Sequence, residues 1–85
     1  MKIEGDTIVF KSTPEWYEFE REGVKPNTVR LLDWDEVEQV ANAAITKVRI
    51  ERIGLNGTAC FTRRTIGLWN LGGVLGKTLF MVCWR

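Results

Sequence analysis

Gly23-Val24-Lys25-Pro26-Asn27-Thr28-Val29-Arg30 is the stretch on which the architecture of this 85-residue chain turns. Gly23 is the residue type that ends helices, because it takes a left-handed backbone at no steric cost. Pro26-Asn27 breaks the chain a second time. Thr28-Val29-Arg30-Leu31-Leu32 follows, rich in β-branched and aliphatic residues, and predicts a strand. A helix handed to a strand through so short a turn puts both element types side by side in this small chain.

Working upstream, residues 14–22 predict a short helix. Thr13 stands at the N-cap, Pro14 at the first helical position, and acidic residues fill the first turn. Trp16 and Phe19 share one side of it, with Glu20 or Glu22 turned outward. Residues 6–11 before it read as a β-type run. Downstream, Asp33 and Glu36 form a capping-box pattern. Residues 34–43 then make a helix with Val37, Val40, Ala41 and Ala44 on one face. Residues 45–53 alternate as a strand. Asn56-Gly57 is the preferred pair for a two-residue hairpin turn, and a return strand is expected from 58 to 68. Its Asn-Gly-Thr also fits a glycosylation sequon, but the turn reading prevails. Residues 69–77 read as a glycine-rich loop, and 78–84 as a last apolar strand inside the sheet. The expected order is β-α-β-α-β-β-β, in one domain over residues 1–85. Five strands and two short helices suggest a small, curved, mostly antiparallel sheet or partial β-barrel.

Composition narrows the function. A chain this short buries about 60–65% of its unfolded surface, so its core must be dense. Four Trp, four Phe and a 45% hydrophobic content supply that material. The net charge is +1, so bulk charge will not carry the chain onto nucleic acid or an anionic membrane. Acidic residues concentrate in the first half and Arg49, Arg52, Arg63, Arg64, Lys77 and Arg85 in the second. That segregation fits a local basic face as well as ordinary solvated surface. No apolar run approaches the ~20 residues that span a bilayer, and residues 1–6 lack an apolar signal core. A cytoplasmic, reducing setting is therefore expected, with Cys60 and Cys83 as two buried free thiols. With no His and two Cys, no metal site is expected, and no motif calls for a cofactor.

Several motifs fall short. Gly72 to Thr78 imitates a phosphate-binding loop, but Leu71 stands where the first glycine is required and a strand, not a helix, follows. Its glycines could still leave backbone N–H groups free for an anion. The carboxylates of 15–22 and 33–38 are accounted for by helix faces and helix starts. Arg63-Arg64 lies in mid-strand, so one of the two faces the covered side of the sheet. An inward Arg there needs an ion pair or a phosphate.

Lys25, Thr28 and Arg30 remain. Thr28 and Arg30 are two apart on a strand and share a side, and Lys25 is presented on the turn before it. A point charge, a hydroxyl and a forked donor can converge on one anion or base edge, with Trp16 or Trp69 to stack a base. The alternative is simple pairing with the acidic helices.

Gly23, Lys25 and Arg30 also match the G-x-K-x-x-x-x-R signature of the ASCH domain, a compact β-barrel relative of the PUA RNA-binding domain. The order of elements resembles that family across most of the chain. The resemblance implies a minimal ASCH/PUA-like module of phage or bacterial type. It would bind RNA or a nucleotide through Gly23, Lys25, Thr28, Arg30 and Arg63 or Arg64. Many members carry Glu two residues before the Arg, where this chain has Thr28. The acetylcytidine amidohydrolases of the superfamily have Lys and Thr at these spacings. That similarity implies Thr28 as nucleophile and Lys25 as its base. Those enzymes also use a Glu late in the chain, and residues 62–85 contain no carboxylate. The sequence thus leans away from an enzyme. A third reading is a phage-type interaction protein that binds a host protein or sequesters a nucleotide signal.

Overall fold

The structure is a computed structural model that describes residues 1–54 and 59–85. It is an α+β fold: an open six-stranded mixed sheet with two short helices. The elements are β1 (Lys2–Glu4), β2 (Thr7–Ser12), α1 (Pro14–Glu22), β3 (Asn27–Leu32), α2 (Trp34–Asn42), β4 (Lys47–Arg52), β5 (Cys60–Val74) and β6 (Lys77–Trp84). Spatial order is β1-β2-β4-β5-β6-β3. β2 and β4 are parallel, and the other neighbours are antiparallel.

The helix and strand order matches the sequence expectation, with two differences. β1 is an added edge strand folded back on β2 through Gly5, whose φ is 62°. Residues 69–77 are not a loop. β5 runs on to Val74 and returns through Leu75 and Gly76, both at positive φ, into β6. Two consecutive positive φ values are the requirement of a type I′ hairpin turn, so the glycines serve a hairpin. The expected Asn56-Gly57 turn lies outside the described residues. The strands on either side of it, β4 and β5, do pair antiparallel.

β5 gives the sheet its curvature. Residues 60–64 pair with β4 and residues 65–74 with β6, with register shifts at Thr65/Gly67 and Asn70/Gly72. Such irregularities bend a strand and sharpen its twist. The concave side holds the core: Ile8, Phe10, Val48, Ile50, Phe61, Phe80, Val82 and Trp84, closed by Tyr17 of α1 and by Leu32 and Val40. Phe61 links Tyr17 and Trp84 in a chain of tilted aromatic pairs, with centroids 5.4 and 6.0 Å apart. Of the predicted Val37–Val40–Ala41–Ala44 face, α2 packs Val40 and Val37 on the core beside Phe80 and Leu68, while Ala41 stays exposed and Ala44 falls beyond the helix end at φ 48°. The backbone N–H of Asp33 donates to Glu36 Oε1 at 3.0 Å, the expected capping contact. β6 lies between β5 and β3, inside the sheet as its sequence implied.

The cysteines are not buried. Cys60 is exposed and Cys83 half-buried, both as free thiols. Strand alternation explains this: Phe61, Val82 and Trp84 take the inward positions, so their neighbours face out. The outer face of β3, β6 and β5 also leaves Val29, Leu31 and Trp69 exposed. Among the described residues, no helix is long and apolar enough to cross a membrane.

Candidate functional site

Because the sheet is open, β3 does not pair with β2 on the far side of the fold. The gap between them is spanned by one side chain. Arg30 donates from Nε to Thr28 Oγ1, from one terminal nitrogen to the Lys11 carbonyl and from the other to Ser12 Oγ, each at 2.8 Å. Its guanidinium carbon stacks 4.9 Å from the centre of the Phe10 ring. Burial lowers the Arg30 pKa, and the nearby Glu20 carboxylate opposes that shift. An arginine stays charged under such shifts.

Beside this bolt opens a cleft of about 400 Å³, within the range of small-ligand pockets. Its walls come from the end of β2 (Lys11, Ser12), from Thr13, Trp16 and Glu20 at α1, from Lys25 on the turn, from Thr28, Val29 and Arg30 on β3, and from Ile53. The turn that carries Lys25 is firmly held. Gly23 adopts φ 81°, and its N–H returns to the Glu20 carbonyl at 3.3 Å. The Lys25 N–H reaches the Phe19 carbonyl at 3.1 Å, and the Trp84 N–H donates to the Pro26 carbonyl at 3.0 Å. Gly23 therefore ends the helix as expected. It shapes the turn without lining the cleft.

Lys25 Nζ donates to Glu20 Oε2 at 3.3 Å and to the Asn27 carbonyl at 3.0 Å. It also sits 5.3 Å from the Trp16 ring. Thr28 is 2% exposed and Glu20 1% exposed, while Trp16 is 54% exposed. Glu20 Oε1 is buried with no hydrogen-bond partner among the described residues. Lys11, Lys25 and Arg30 set against Glu20 leave the cleft with surplus positive charge.

The sequence-predicted trio of Lys25, Thr28 and Arg30 is thus brought together, and Trp16 is the aromatic neighbour. Trp69 lies elsewhere, with its indole folded over Gly67 so closely that a Cβ there would meet Nε1 at 2.5 Å. Arg63 and Arg64 stay outside the cleft. Arg63 stacks on Phe61 at 4.9 Å and donates to the carbonyls of Thr62, at 2.9 Å, and Arg21, at 3.4 Å. It therefore supports the C-terminal end of α1. Arg64 is exposed and borders a separate hollow with Ile45 and Thr46. The glycine-rich hairpin does not line the cleft either.

Of Glu20 and Glu22, between which the sequence left the outward position open, Glu22 is exposed and Glu20 is buried. α1 buries Tyr17 and Glu20 and leaves Trp16 and Phe19 outside. Hydrophobicity alone points the Trp16–Phe19 side inward. The one signal to the contrary was Tyr17 and Glu20 at i and i+3, a shared helix face, with Lys25 close enough in sequence to answer the charge. Comparisons with family models, with curated proteins and with solved structures find no match for this chain.

Proposed function

We propose that the chain is a minimal ASCH/PUA-like binding module that holds a nucleotide, or a base of RNA, in the cleft between α1 and β3. The observation that carries this reading is the convergence of Lys25, Thr28 and Arg30 with an exposed Trp16 around one concave site. Each part has a task. Trp16 offers a face on which a base can stack, a contact that tolerates any base. Lys25 Nζ has three donors and spends two within the protein. One remains for a phosphate or base oxygen. Arg30 is committed to the fold through its three hydrogen bonds, so it contributes field and orients the Thr28 hydroxyl. Titrating the protein with a panel of nucleotides and short RNAs by calorimetry tests the reading. Binding that weakens at least about tenfold in Lys25→Ala supports it, since hydrogen bonds involving a charged group are worth about 1.5–3 kcal/mol. Binding unchanged in both Lys25→Ala and Trp16→Ala would sink it.

A second reading has one observation in its favour. The carboxylate that residues 62–85 lack is supplied to the cleft by Glu20 of α1. Lys25, Thr28 and Glu20 together resemble the side-chain set of an amidohydrolase acting on a modified nucleoside such as acetylcytidine. Thr28 Oγ would attack the acyl carbon and give its proton to Lys25. The amine would leave with a proton, and water would release the acyl group from Thr28. The hydrogen bonds favour binding over this chemistry, because Thr28 Oγ1 is held by Arg30 and Lys25 is paired with Glu20. Release of cytidine and acetate by the wild type but not by Thr28→Ala would establish it. Absence of turnover would retire it.

A further inference from the structure

Glu20 is the most enclosed polar side chain among the described residues, at 1% exposure. Its carboxylate is only half answered. Oε2 receives Lys25 Nζ at 3.3 Å, while Oε1 is buried and meets no donor. A buried charged acceptor with a missing donor is unfavourable, and natural interiors rarely leave one unexplained. Glu20 also lines the cleft beside Lys25 and Trp16. Lys25 and Trp16, packed together at 5.3 Å, line the same cleft and are more open to solvent than Glu20, so a ligand seated against them lies beside the carboxylate.

We infer that the ligand brings an N–H donor to Glu20 Oε1 and an adjacent acceptor to the third proton of Lys25 Nζ. The inference rests on the nucleobase-cleft reading above. Within that reading it selects a base that carries an exocyclic amino group. An acceptor oxygen paired with an ammonium reads a donor beside an acceptor, the pattern of the cytosine and adenine amino edges. Uracil offers its ring N–H between two carbonyl oxygens. One of those oxygens can accept from Lys25, but the other would face the carboxylate with like partial charge. An exocyclic amino group projects past the ring and brings no second oxygen against Glu20. The carboxylate is then the specificity element of the site, and the cations beside it provide affinity.

The test compares ligands on the unaltered protein, so it does not depend on a variant folding. Calorimetric affinities are measured for cytidine and adenosine, for the pyrimidin-2-one and purine ribosides that lack only the amino group, and for uridine. The amino-bearing nucleosides are expected to bind at least about tenfold tighter than their counterparts. That ratio is expected to shrink in Glu20→Gln, which keeps the side chain's shape and removes its charge. Equal affinity for all five nucleosides overturns the inference and leaves the cleft reading standing. Failure of every nucleoside, nucleotide and short RNA to bind overturns the cleft reading and this inference with it.

Discussion

Replacing Arg30 with alanine removes the side chain that ties β3 to β2 across the open edge of the sheet. Three donated hydrogen bonds of 2.8 Å are lost, together with the stack on Phe10. At this half-buried, solvent-facing edge even the bonds of a charged group fall toward the ordinary range, about 0.5–1.5 kcal/mol each, and a cation–aromatic contact adds about 0.5–1 kcal/mol. The gross loss is therefore about 2–5 kcal/mol. The hydroxyls left behind, Thr28 and Ser12, border an open cleft where water recovers part of it. The expected net cost is about 2–4 kcal/mol. A domain of this size has about 4–13 kcal/mol in total, so a large fraction of its stability rests on one residue. The corresponding drop in Tm is about 8–32 °C. Urea unfolding followed by far-UV circular dichroism measures it, with an unchanged m value marking a loss of stability alone. Arg30→Lys keeps the charge but cannot make the three-way fork, and should fall between wild type and alanine. An Arg30→Ala protein within about 0.5 kcal/mol of wild type would refute the reasoning, since the guanidinium would then be a dispensable surface group.

Lys25→Met leaves the Glu20 carboxylate without its cation. Breaking a fully buried pair costs about 3–5 kcal/mol; with Lys25 at 31% exposure, about 1–3 kcal/mol is expected. Adding Glu20→Gln should return most of that loss in the same urea assay. In the core, Ile50 is fully buried, so Ile50→Ala should cost about 2–5 kcal/mol and Ile50→Val about 0.5–1.5 kcal/mol. The acid limb of stability should depend on Glu4 and Asp6. Arg49 and Lys2 hold Glu4 below its ordinary 4.5, and hydrogen bonds from the hydroxyls of Thr46 and Thr7 hold Asp6 below its ordinary 3.8. A carboxylate with a depressed folded pKa contributes above its unfolded pKa and loses that contribution as pH falls through the folded value. Stability should therefore decline below about pH 4.5, and Glu4→Gln with Asp6→Asn should flatten that decline in pH-dependent thermal melts.

Much of the fold could be read locally. Gly23, Pro26 and the Asp33–Glu36 pair sit where backbone geometry leaves few choices, and the helices and strands around them formed as those residues imply. The parallel pairing of β2 with β4 could not be read so, because its support is long-range. The Asp6 carbonyl accepts the N–H groups of Thr46 and Lys47 at 2.8 and 3.2 Å, and Asp6 Oδ2 accepts the Thr46 hydroxyl at 2.6 Å. Residues 69–74 misled because glycine weakens strand propensity, yet their pairing with β6 through two register shifts overrides it. The same split holds at the site. Thr28 and Arg30 share a strand face by the period of two, and the turn dictates Lys25. Glu20 needed tertiary information: Tyr17 is drawn into the aromatic cluster with Phe61, which rotates α1 and carries Glu20 inward with it.

If the α1–β3 cleft is the surface that meets a ligand, binding perturbs its residues before any others. Two-dimensional amide NMR spectra of the isotopically labelled chain, recorded during titration with a nucleotide, test it most directly. Saturable shifts are expected, centred on residues 25–30, on the α1 backbone around Glu20 and on the Trp16 indole N–H. Shifts centred instead on the exposed β3–β6–β5 face around Leu31 and Trp69, with the cleft silent, would mean that the ligand meets another surface.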